Sequence, residues 1–177
     1  EADVKGVVDR FTAGPGRGQI AKEKEEYAAV FDSLVLCKFL RNCFDDFFVD
    51  AARIYTMTTG IPMTAEELQA TGERVWTLKK AFNIREGWTK ADDWLPGRVL
   101  HDPMPSGPGK GVHVTEDELR MMIDDYYQAR GWTPDGLIPK AKLIELGLED
   151  IAEDVGVDDG PEAIPTGVEA AASEEAK

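Results

Sequence analysis

Asp32 and Cys37 are the residues of this chain whose types and spacing lend themselves most to chemistry. They stand five positions apart in Asp32-Ser33-Leu34-Val35-Leu36-Cys37-Lys38-Phe39, a largely apolar run. Each has an ordinary structural reading. An Asp before an apolar run commonly caps a helix, and a Cys inside one is commonly a buried core thiol. The pair together suggests more. An Asp just ahead of a helix and a Cys in its opening turns both lie near the helix N-terminus, where unpaired amides and partial positive charge gather. That environment favours a thiolate and accommodates an anionic cofactor.

The remaining chemistry-bearing residues are weaker candidates. Cys43 lies six residues beyond Cys37, unlike the common chelate spacings, and reads as structural. His101 and His113 stand twelve apart in or beside a Pro/Gly-rich stretch, with no acid or Cys at ligand spacing, and read as exposed loop residues. Ala13-Gly14-Pro15-Gly16-Arg17-Gly18 is glycine-rich, but no Gly-Lys-Ser/Thr follows, so it reads as a flexible turn rather than a phosphate loop. Tyr126, Tyr127 and the four Trp read as packing, with Trp88 and Trp94 also available to an interface.

The elements that must position these residues are helical. Residues 1–20 read as an irregular approach segment. Gln19 to Phe31 favours helix by composition, and 44, 47/48, 51 and 54/55 give helical spacing over Leu40 to Thr58, ended by Gly60-Ile61-Pro62. Thr64 and Glu67 form a capping box for a helix reaching Arg85 to Gly87. Residues 88–113, with four Pro and four Gly, predict a long loop over the helices. Thr115 and Glu118 open a further helix whose apolar face is Leu119, Met122, Ile123, Tyr126 and Tyr127, stopped by Gly131. Thr133-Pro134-Asp135-Gly136 is a turn, followed by a short helix from Pro139 to about Leu146. No segment alternates strictly, so the predicted class is all-α, a multihelical orthogonal bundle over 21–154. Residues 155–177 read as a disordered acidic tail.

At 177 residues with 42% hydrophobic content, the chain can bury a substantial core. Its net charge of −14 argues against a nucleic-acid surface. From Glu149 onward ten acids face one Lys, as expected of a solvated tail. No run of about 18 apolar residues predicts a membrane span, and no basic-then-apolar leader is present. A chain opening on Glu1 reads as a fragment or a processed product. Two cysteines without a Cys-x-x-Cys pair suit a reducing cytoplasm and give no complete metal site.

Several blocks occur in order over about residues 20–148. They are Asp32-Ser33-Leu34-Val35-Leu36-Cys37-Lys38-Phe39, Gly72-Glu73-Arg74-Val75-Trp76-Thr77-Leu78 and Phe82-Asn83-Ile84-Arg85-Glu86-Gly87-Trp88-Thr89. Asp92-Asp93-x-Leu95-Pro96-x-Arg98, Tyr126-Tyr127-x-x-Arg130-Gly131-Trp132 and Leu143-x-x-Leu146-Gly147-Leu148 follow. In this ordered set the chain resembles the C-terminal part of the tungsten-containing aldehyde:ferredoxin oxidoreductases. The resemblance implies an enzyme that oxidises aldehydes to carboxylic acids with ferredoxin, or another electron-transfer protein, as acceptor. It implies a tungsten bis-pterin and a [4Fe–4S] cluster in the full-length enzyme. By the family's Asp-x-x-Gly-Leu-Cys motif, Asp32 is the pterin-binding acid, Leu36 lines the pterin site and Cys37 ligates the cluster. An ionised carboxylate can accept two parallel hydrogen bonds from an aminopyrimidinone edge, and a thiolate is the usual iron–sulfur ligand. One departure stands out: Val35 occupies the motif's Gly position, where a side chain resists an unusual backbone angle.

The remaining cluster cysteines and catalytic groups are expected upstream. The isolated chain is therefore expected to hold neither cofactor and to be inactive, its partners being the upstream domains of the same enzyme. Relatives that act on other substrates, such as aromatic thioesters reduced within larger assemblies, define an alternative. A cofactor-free helical interaction module defines another.

Overall fold

Helix ends are strongly encoded in this chain, and they set the architecture. A computed structural model describes residues 13–158. Its helices in chain order are α1 (Arg17–Ser33), α2 (Phe47–Thr59), α3 (Ala65–Arg85), α4 (Gly97–His101), α5 (Glu116–Arg130), α6 (Lys140–Glu145) and α7 (Glu149–Val155). Short 3₁₀ turns occupy Lys38–Asn42 and Lys90–Asp92. Among the described residues the fold is all-α and multihelical, with no strand beyond an isolated bridge between Pro139 and Val157. Both expected capping boxes form: Thr64 with Glu67, and Thr115 with Glu118.

α1 is the central strut. It packs on both α3 and α5, and two glycines permit the close approach. A Cβ on Gly18 would lie 2.3 Å from the Tyr126 amide nitrogen, and one on Gly72 would lie 2.7 Å from the Glu26 carbonyl oxygen. Gly18 is thus a packing residue of a helix crossing. Its amide already donates to the Asp125 carboxylate at 2.6 Å, which leaves it nothing to offer a phosphate. α1 begins at Arg17, so residues 17–20 are helical rather than part of an irregular approach. The helix after the Asp32–Phe39 stretch starts later than its spacing predicts, at Phe47 instead of Leu40. Asp46 caps it by accepting from the Val49 amide at 3.2 Å.

Two apolar clusters flank α1. One gathers Val30, Phe31, Phe47, Ala51, Ala52 and Leu68. The other gathers Ala81, Tyr127, Trp132, Ile138, Leu143 and Leu146, extended by Ala152 and Val155 of the unexpected helix α7. The 88–113 segment is a loop containing α4 and the second 3₁₀ turn. The expected acidic tail, beyond residue 158, and residues 1–12 lie outside the described residues.

Polar interactions that residue spacing did not reveal fix these layers. Arg130, 1% exposed, donates to Glu26 at 3.0 Å and Glu25 at 2.7 Å, joining α5 to α1. Trp76 of α3 donates to the Tyr126 hydroxyl at 2.7 Å, and that hydroxyl donates to Glu25 at 2.6 Å. Burial pushes the Glu26 carboxyl above the usual range, against the pull of Lys22 and Arg130. A buried ion pair adds little net stability where the cost of desolvating its charges offsets their attraction. Removing one partner is a different matter, because it strands buried charge. Arg130→Ala is expected to lower stability by about 3 kcal/mol, measured by urea unfolding.

Asp93 is the second hub. It accepts from Lys80 at 2.6 Å, Trp88 at 2.7 Å and Tyr127 at 2.5 Å, pinning the loop to α3 and α5. Burial alone would raise this carboxyl, but the bonds from Lys80, Tyr127 and Trp88 outweigh it and hold it below the ordinary aspartate value. A depressed carboxyl stabilises the fold above its unfolded pKa, about 3.9, and that contribution is lost as pH falls through the folded value. Asp93→Asn is expected to cost about 2 kcal/mol at pH 7 and to shrink the loss between pH 7 and pH 3. An Asn variant losing as much as wild type over that interval would contradict the assignment.

Candidate functional site: the capping turn of α1

The last turn of α1 is anchored on its inner side by Val30 and Phe31, both buried. The Phe31 ring stacks on Phe47 at 5.3 Å and meets Phe44 edge-on at 6.3 Å. The chain then leaves the helix through a Schellman turn. The Leu36 amide donates to the Phe31 carbonyl at 3.1 Å and the Val35 amide to the Asp32 carbonyl at 3.0 Å, the paired bonds of that motif. Leu36, half-buried, packs against the Phe31 cluster and completes the motif's apolar contact.

Such a turn requires a left-handed residue just beyond the helix. Three other helices end the same way. The Gly87, Gly131 and Gly147 amides donate to Ile84, Gln128 and Ile144, and the Trp88, Trp132 and Leu148 amides to Asn83, Tyr127 and Leu143. In each the left-handed residue is Gly, with φ of 93°, 67° and 68°. In α1 it is Val35, with φ 54°, the single non-glycine at positive φ among the described residues. A β-branched side chain makes this conformation costly, and at 90% exposure Val35 gains no packing in return.

Asp32 adds a second local cost. It lies in the last turn of α1, where the helix dipole presents negative charge and disfavours a carboxylate. The expected placement at a helix N-terminus is therefore overturned: the apolar run is not a helix that Asp32 opens but the exit from one it helps to close. Cys37 is extended, at φ −69° and ψ 123°, and precedes the 3₁₀ turn Lys38–Asn42. Both Cys37 and Cys43 are free and exposed, which corrects the expectation of buried thiols. The left-handed turn at Val35 carries Cys37 off the helix, and Cys43 follows the 3₁₀ turn Lys38–Asn42, none of whose residues is buried. Leu34 and Leu36 turn inward to the aromatic cluster, and Val35 and Cys37 turn outward.

The site is thus an outward-facing strip. The Asp32 carboxylate, exposed, forms no hydrogen bond or ion pair among the described residues, so its acceptor positions are open. Cys37 offers one unpaired thiol. This donor set fits a carboxylate-recognised heterocycle beside a single iron–sulfur ligand, the other ligands coming from elsewhere. No group of three His, Cys, Asp or Glu able to hold a metal ion occurs among the described residues. Leu36, expected to line the pterin site, is half-buried and packs against the Phe31 cluster. His101 and His113 are exposed, and nothing brings them to this strip.

Comparisons with known proteins place the chain in one family. The family described as aldehyde ferredoxin oxidoreductase, domains 2 and 3, matches residues 1–148. A tungsten-containing aldehyde ferredoxin oxidoreductase of Pyrococcus furiosus is 41% identical over 125 residues, 70% of this chain and 20% of that protein. The WOR-like subunit of an aliphatic sulfonate oxidoreductase from the same organism is 27% identical, over 72% of this chain and 21% of its own length. Among solved structures, the active-site complex BamBC of benzoyl coenzyme A reductase, in complex with 1,5-dienoyl-CoA, superposes with a TM-score of 0.64 at 25% identity. It covers 77% of this chain and 20% of that one. The chain spans about a fifth of the length of the relatives it matches.

Strain at the capping turn is testable without any cofactor. Val35→Gly is expected to raise the stability of this chain by about 1 kcal/mol, the relief of left-handed strain exceeding the entropy cost of Gly. Urea unfolding checks it, and a less stable Gly variant would remove the strain argument.

Proposed function

We propose that this chain, which belongs to the aldehyde ferredoxin oxidoreductase family, forms one wall of a two-cofactor site in a larger tungsten enzyme. The observation that carries this reading is the α1 capping turn. It displays an open carboxylate and a free thiol five residues apart, at a conformational cost that this chain's own packing does not repay.

In this reading Asp32 accepts two parallel hydrogen bonds from the aminopyrimidinone edge of a pterin and so orients it. Cys37, as thiolate, holds one iron of a [4Fe–4S] cluster. The tungsten bis-pterin supplies the oxidation of aldehyde to carboxylic acid when bound, and the cluster a path for electrons to ferredoxin or a similar acceptor. The task of this chain is geometric. Phe31 and Leu36 lock the turn to the core, so the pterin-binding oxygen atoms and the cluster-binding sulfur keep a fixed separation. The upstream part of the same enzyme contributes the remaining ligands, and the chain by itself is inactive. A reducing cytoplasm suits the two free thiols. No helix among the described residues is long and apolar enough to cross a membrane.

The likeness to BamBC favours one alternative, reduction of an aromatic thioester on the same cofactor frame. Assaying the full-length parent with aldehydes and with aromatic acyl-CoA thioesters separates the two. The wall itself is tested in the same protein. Cys37→Ala is expected to lose cluster iron and visible absorbance, and Asp32→Ala to lose pterin and tungsten. Wild-type iron in the Cys37 variant would favour a cofactor-free helical module, and wild-type pterin in the Asp32 variant would remove its binding role.

A further inference from the structure

Cys37 is flanked two residues on either side by Val35 and Phe39, each 90% exposed. Among the described residues no other large apolar side chain is so open. Val35, Cys37 and Phe39 are all exposed, with Leu36 half-buried between the first two, and the 3₁₀ turn Lys38–Asn42 that carries Phe39 has no buried residue. Neither residue contributes to the apolar clusters of the fold. Val35 also holds a left-handed angle that three equivalent turns assign to Gly. A costly apolar pair astride a free thiol calls for an occupant, and the thiol specifies which.

We propose that Val35 and Phe39 form an apolar collar that packs over the iron–sulfur cluster bound to Cys37 and keeps water from it. The proposal rests on the reading of Cys37 as a cluster ligand. A cluster with four thiolates is anionic and gains further negative charge on reduction. Water and hydrogen-bond donors stabilise that added charge, and an apolar cover withholds them, so the collar lowers the reduction potential. The same cover hinders small chelators from reaching the iron. Val35 and Phe39 are positioning residues here: they set the surroundings of the cluster and ligate nothing.

The test uses the full-length holoenzyme with Val35→Gly, Phe39→Ala, Phe39→Leu and Cys37→Ala. Iron content is measured first, then the cluster potential by EPR-monitored titration and the rate of bleaching by an iron chelator. Val35→Gly and Phe39→Ala are expected to keep their iron, shift the potential to more positive values and bleach roughly 10-fold faster. Phe39→Leu is expected to return both readouts toward wild type. If either larger truncation fails to hold a cluster, Val35→Ala or Phe39→Leu takes its place, and the same directional change, smaller in size, is required. Wild-type potential and bleaching in these variants, with Cys37→Ala losing iron, would overturn the collar alone. Full iron in Cys37→Ala would overturn the collar together with the ligand assignment.

Discussion

The last turn of α1 must release the chain through a left-handed residue, and the presentation of the site depends on that requirement. The Schellman bonds at Val35 and Leu36 reverse the backbone over a single residue. Without the reversal, α1 would continue and Cys37 would be carried along its axis. With it, Leu34 and Leu36 dip into the aromatic cluster, and Val35 and Cys37 face outward. A helix end usually settles its own backbone groups and little else. This one also sets the direction of a carboxylate and a thiol.

The turn holds its direction because the helix behind it is clamped along its length. Gly18 and Gly72 let α1 approach α5 and α3 at backbone distance. The buried Arg130 fork on Glu25 and Glu26 stops α1 from sliding or rotating in that seat. Val30 and Phe31 seal its far end against α2 and Leu68. A chain of contacts therefore runs from the Asp93 and Arg130 hubs, through α1, to the strip that carries Asp32 and Cys37. Local preference and global structure conflict within that strip, at Asp32 beside a helix C-terminus and at Val35 in a left-handed angle. Such conflicts are expected where a surface serves something other than its own stability.

Much of the fold was legible in the residues because helix punctuation is local chemistry. The two threonine capping boxes, the glycine stops at Gly131 and Gly60 and the periodic face of α5 depend on neighbours a few positions away. Where non-local packing decided, spacing failed. Asp46 rather than Leu40 opens α2, because the intervening residues follow the exit from α1. The short helix α7 and the hydroxyl roles of Tyr126 and Tyr127 depend on partners far along the chain. Asp32 and Cys37 stood out by type, yet their environment was misread as a helix start. An apolar run does not distinguish entry to a helix from exit when the left-handed residue is Val instead of Gly. The resemblance to a motif with Gly at position 35 held the missing clue, since Gly there marks the angle that Val35 adopts.

In the proposed enzyme the capping turn of α1 delivers Asp32 and Cys37 to two cofactors at once. A crystal structure of the full-length enzyme with its cofactors bound tests this most directly. The expected structure has the Cys37 sulfur bonded to a cluster iron, the Asp32 carboxylate accepting paired hydrogen bonds from a pterin edge, and Val35 still at positive φ. A structure in which Cys37 and Asp32 both face solvent or an unrelated protein surface, with the cluster and pterin held by other residues, would contradict it.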